Sequence, residues 1–159
     1  MRRAPGISRF IAAPIGTKLI AIEAAFELFL ARLNTLRSAK RFTSTLGHLE
    51  DNPVTADHEQ QERASTIGHV VELTARVMPF RTVCLQQVIA LRRMLRRRSI
   101  PATVYLGVMP GSEGDATKQV SFTSDDPAMS AHAWVKSGDR VVNGRIADLN
   151  RYVVLGMFS

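Results

Sequence analysis

A chain of 159 residues with 45% apolar content is long enough for one domain with a buried core, which excludes a disordered or fibrous protein. A single cysteine excludes an internal disulfide and does not itself decide the compartment, for which a cytoplasmic address is the default expectation. The net charge of +7 suits an acidic or anionic partner without naming one.

The opening, Met1-Arg2-Arg3 through Arg9, is basic and free of acids, like the front of a targeting peptide, but Pro14 and Gly16 interrupt it. Beyond it, Leu19, Ile20, Ile22, Phe26, Leu28, Phe29, Leu30 and Leu33 predict a helix from Thr17 to about Leu36. Glu23 and Glu27 interrupt the apolar run, so no membrane span is expected. The apolar arc is nevertheless too wide for a surface helix, and it should pack on the domain, on a partner, or on both. Arg37 to Gly47 reads as a basic turn or a short second helix. Glu50 to Gln61 is polar, with Asn52-Pro53 as a turn signal, and reads as a linker. Residues 1–60 are therefore expected to form a helical extension and linker, and 61–159 the main domain.

The next helix runs from about Glu62 until Pro79, with Ile67, Val70, Val71, Thr74, Val77 and Met78 on its apolar face. His48, His58 and His69 lack the spacing of metal ligands, and no nucleotide fingerprint occurs, so no cofactor is expected.

A third helix opens at Cys84, with Thr82 as the expected N-cap, and continues to about Arg98. Cys84, Val88, Leu91 and Leu95 share one face, widened by Leu85, Ile89 and Met94. The cysteine thus sits on the buried stripe at its exposed end. A helix start leaves N–H groups unpaired and favours negative charge, which should make the thiol easier to ionise. An inert core cysteine fits the same pattern. Arg92, Arg93, Arg96, Arg97 and Arg98 crowd the far end, reading as a solvated face or a site for an acidic partner. Few aromatics accompany them, so nucleic acid is not the expected partner.

Ser99-Ile100-Pro101 stops the helix, and the period changes to two over Thr103 to Val108, a strand. Met109 to Ala128 reads as a long loop with a short strand at Lys118 to Phe122. Ala131 to Lys136 and Arg140 to Asn143 flank Ser137-Gly138-Asp139, a hairpin signal, and Arg151 to Leu155 supplies a last strand. Helices first and an antiparallel meander after make the chain α+β, with the sheet packed on the cysteine-bearing helix.

His132 and Trp134 face one side of their strand, and the hairpin brings His132 opposite Asn143 to Arg145. A thiol at a helix start, an imidazole on an adjoining strand and the orienting amide of Asn143 would make a nucleophile with its base. Gln87, one turn on from Cys84, is a candidate helper for an oxyanion formed at the helix start.

The stretches RTVCLQQVIALRRMLRRRSIPATVYLGV and AHAWVKSGDRVVNG, in this order, resemble the lasso-peptide B proteins, leader peptidases with a transglutaminase-like (papain-like) cysteine-protease fold. The resemblance covers about Val77 to the C-terminus and implies that Cys84 is the nucleophile and His132 its base. The family places an acid shortly after the histidine, where this chain has Asn143 and Gly144; Asp139 and Asp148 are the nearest acids. The resemblance further implies a split form that works with a separate leader-recognition protein. Its substrate would be a ribosomally made precursor peptide, whose freed amine a separate ATP-dependent macrolactam synthetase would use. A transglutaminase-like acyltransferase or amidase, and a non-catalytic basic module that binds peptide or nucleic acid, are the alternatives that share these residues.

Overall fold

The computed structural model describes residues 14–37, 52–109 and 130–159. Three helices, α1 (Ile15–Arg37), α2 (His58–Val77) and α3 (Cys84–Arg97), precede four strands, β1 (Thr103–Met109), β2 (Ser130–Ser137), β3 (Arg140–Asn143) and β4 (Val153–Phe158). The strands form one antiparallel sheet in the order β3-β2-β1-β4. The fold is α+β, with the cysteine at the start of a helix that packs on β2. The features expected at residues 1–9, 38–47 and 118–122 lie outside the described residues.

Helix α3 is the centre of the molecule. Leu85, Val88, Ile89, Leu91, Met94 and Leu95 are all buried, as their spacing requires, and they meet Ala133 and Val135 of β2. Cys84 extends the same stripe but is only half-buried. Its N-cap is Val83 rather than Thr82. The Gln86 side chain accepts from the Val83 N–H at 3.3 Å, while Thr82 Oγ1 donates back toward Ala75 at 3.5 Å. Gln86, 2% exposed, also donates to Thr35 Oγ1 on α1, so one buried amide ties the helix start to a neighbouring helix. At the other end Ser99 takes φ +52°. The Ile100 N–H reaches the Leu95 carbonyl, and the Ser99 N–H reaches that of Arg96, a Schellman cap.

Helix α1 lies across α3 and α2. Its inward residues are Ala21, Ala24, Leu28 and Ala31, small enough for close approach, whereas Leu19, Ile22, Phe26 and Phe29 face outward. Its two acids are not a solvent stripe. Glu27, 4% exposed, meets Arg93 and Arg97, and Glu23 meets Arg97 and Arg98. Three of the five arginines are thus internal clasps between helices. Helix α2 begins four residues earlier than its apolar pattern suggests, because Asp57 and Gln60 form a reciprocal capping box that extends it through polar residues. At Gly68 it touches β3 so closely that a Cβ would fall 2.0 Å from the Val142 carbonyl oxygen.

The last strand also differs from expectation. Asp148 to Tyr152 close a 3-10 turn over Leu149–Arg151, so β4 starts at Val153. It returns to pair with β1 at the edge opposite β3, rather than continuing the meander.

Candidate active site

One open cleft of about 740 Å³ lies where the α2–α3 connection, the start of α3 and the ends of β2 and β3 meet. Cys84, Gln87, His132 and Asn143 all line it. Two side chains separated by half a domain of sequence share this cleft because α3 packs lengthwise against β2. The backbone of Ala133, the residue after His132, hydrogen-bonds the Cys84 sulfur.

His132 is held from two sides. Its ring stacks on Trp134, with centroids 6.1 Å apart, and leans on Tyr152 at 5.6 Å. Its Nε2 lies 2.7 Å from the Gly144 carbonyl oxygen. A carbonyl only accepts, so in the neutral ring Nε2 carries the proton and Nδ1 keeps the lone pair needed by a base. Gly144 adopts φ +75° and presses on β2 so closely that a Cβ would fall 2.6 Å from the Ala133 carbonyl oxygen. Only glycine fits both constraints.

Asn143, expected to orient the imidazole, pairs in the ladder with Val135 and is 1% exposed. Its Nδ2 donates to Glu72 Oε1 on α2 at 3.4 Å, and its Oδ1 has no hydrogen-bond partner among the described residues. The ring nitrogen that needs an orienting acceptor is therefore served by the next residue's main chain. Asp139 is exposed in the hairpin turn, and Asp148 is exposed beside Arg151. Glu72 has no signal in the sequence, because a glutamate on a polar helix face looks the same whether it meets solvent or a cleft.

A family model described as the transglutaminase-like superfamily matches residues 28–157. The chain belongs to the transglutaminase-like superfamily. No curated protein and no solved structure matches it. The match begins inside α1 and takes in every described element after it, consistent with α1 sharing the core with α3. Members of the superfamily are usually catalytic, with a cysteine nucleophile of the protease or transglutaminase type.

For a transglutaminase-like site, the electrostatics of Cys84 are set by competing effects. Burial, the larger, pushes the thiol above its ordinary value of 9.0, while backbone hydrogen bonds of Ala133, Leu85 and Cys84 itself pull it down. Desolvation thus outweighs the helix-start effect expected from sequence and favours the thiol form. The Gln86 and Gln87 N–H groups are taken by the Val83 carbonyl, whereas the backbone of Cys84 and Leu85 faces the cysteine sulfur. Among the described residues no group of three or more His, Cys, Asp or Glu is placed to hold a metal ion.

Proposed function

We propose that this chain is a cysteine peptidase that removes the leader from a ribosomally made lasso-peptide precursor. The observation that carries the peptidase reading is the shared cleft of Cys84 and His132. The choice of substrate rests on the likeness of the two quoted stretches to the lasso-peptide B proteins.

In this reaction His132 Nδ1 takes the thiol proton as the Cys84 sulfur attacks the carbonyl carbon joining leader to core. Proton transfer accompanies the attack, because burial disfavours a free thiolate. The oxyanion is met by the N–H groups of Cys84 and Leu85, with Gln87 in the same cleft. The C–N bond then breaks, and His132 returns the proton to the departing amine, the new N-terminus of the core. Water hydrolyses the leader thioester and restores the thiol. The freed amine would pass to a separate ATP-dependent macrolactam synthetase, and a separate recognition protein would present the leader.

Mass spectrometry of a leader–core peptide incubated with the protein, alone and with the recognition protein, tests this reading. Two products whose masses sum to that of the substrate plus one water are expected. Cys84→Ala should abolish them while the melting temperature is retained, and undiminished cleavage by that variant would refute the assignment. Transfer of the leader to an added primary amine, in place of hydrolysis, would instead favour an acyltransferase of the same superfamily.

A further inference from the structure

We propose that Arg76 and Arg145 make the cleft selective for peptide segments that carry acidic side chains close to the reacting carbonyl. The proposal rests on the reading that a peptide reaches Cys84. Arg76 comes from the last turn of α2 and Arg145 from the chain just beyond β3; both are exposed and both line the cleft. Arg81, from the α2–α3 connection, lines it as well. Arg76 and Arg145, from two chain segments, therefore bring the same sign of charge to one opening, and the dipole at the start of α3 adds to it.

Several arginines elsewhere are matched to carboxylates, although among the described residues Arg32, which lies over the Phe80 ring, and Arg96 are not. Arg93, Arg97 and Arg98 are matched to Glu23 and Glu27, Arg140 to Glu62 and Arg63 to Glu59. Among the described residues the cleft's single lining carboxylate is Glu72, which accepts from Asn143, and neither Arg76 nor Arg145 is paired with a carboxylate. Arg145 donates through Nη2 to the Val141 carbonyl at 3.2 Å, which fixes the guanidinium without neutralising it. The walls between these charges include Met78, Phe80 and Ile146, so the surface suits a segment that alternates apolar and acidic side chains.

Binding by the Cys84→Ala chain tests the proposal independently of catalysis. Fluorescence anisotropy would compare short labelled peptides of one sequence bearing Glu, Gln or Lys on both sides of the target bond. At low salt the Glu peptide should bind roughly tenfold tighter than the Gln peptide, as two exposed ion pairs would give, and the Lys peptide should bind weakest. The gap should narrow as salt is raised. Adding Arg76→Gln and Arg145→Gln should erase the preference, and Arg76→Glu with Arg145→Glu should reverse it in favour of the Lys peptide. Equal binding of the Glu and Gln peptides, a preference that survives the double Gln variant, or binding of none of the peptides would overturn the proposal. Cleavage by the unmodified chain is scored separately. A charge preference without cleavage would leave this proposal standing while the peptidase reading fell.

Discussion

Gly144 shows how much one residue position can govern at this site. Its carbonyl holds His132 Nε2 while its α-carbon leaves no room for a side chain. Gly144→Ala should force the segment away from β2 and let the imidazole turn. The expected loss is up to about a hundredfold in kcat, with substrate binding less affected, as steady-state kinetics would show. Asn143 and Gly144 could both be singled out from sequence as neighbours of His132, but a main-chain carbonyl has no letter of its own. The orienting atom was therefore invisible before its geometry was known. Cys84 offers a second case. Its place at a helix start is legible, and its surroundings are not: burial, a property of the whole fold, pushes the thiol above 9.0. Alkylation of Cys84 by iodoacetamide should thus be slow at neutral pH and climb as pH rises past 9. A plateau already reached near pH 7 would contradict a thiol raised by burial.

At the level of elements, periodicity carried most of the information. The apolar stripes of α2 and α3 and the alternation in β1 and β2 place these elements to within a few residues. The first turn of α2 escaped because His58, Glu59 and Gln61 have no apolar period, although Asp57 and Gln60 have the spacing of a capping box. Helix ends are decided by such local hydrogen bonds rather than by burial. The far end of α3 supplies a test. Ser99 occupies the left-handed position of a Schellman cap with its side chain exposed, a conformation that costs a residue with a Cβ. Ser99→Gly should stabilise the protein by about 0.5–1 kcal/mol, read as a higher urea midpoint with an unchanged slope. The cleft should not be affected, because it lies at the opposite end of the helix.

For the molecule as a whole, the parts hardest to read were those made by distant pairing. Nothing local in Val153–Phe158 says that the strand returns to β1, and nothing local in Arg93, Arg97 and Arg98 says that they grip Glu23 and Glu27 on a helix far earlier in the chain. A row of arginines reads as a solvated face until its partners are known. The clasp carries a pH signature. Arg98, then Arg97, hold the Glu23 carboxyl below its usual 4.5, a shift that burial partly opposes. A carboxyl lowered by folding contributes stability that is fully present above about pH 4.5 and is lost as pH falls through the lowered value. The melting temperature should therefore drop on acidification below pH 4.5, and by less in Glu23→Gln, which has already given up the charge. Equal acid sensitivity of the two proteins would remove Glu23 from the account.

The main-chain contact to His132 also shapes what genetics can see. Replacing side chains one at a time cannot delete an oxygen that every amino acid possesses. A saturation screen of the proposed enzyme should recover two positions, 84 and 132, where the chemistry of one particular side chain is demanded. It should recover a third, 144, where the demand is for no side chain at all. Such a third hit would ordinarily be filed as a folding defect, although it would mark part of the machinery.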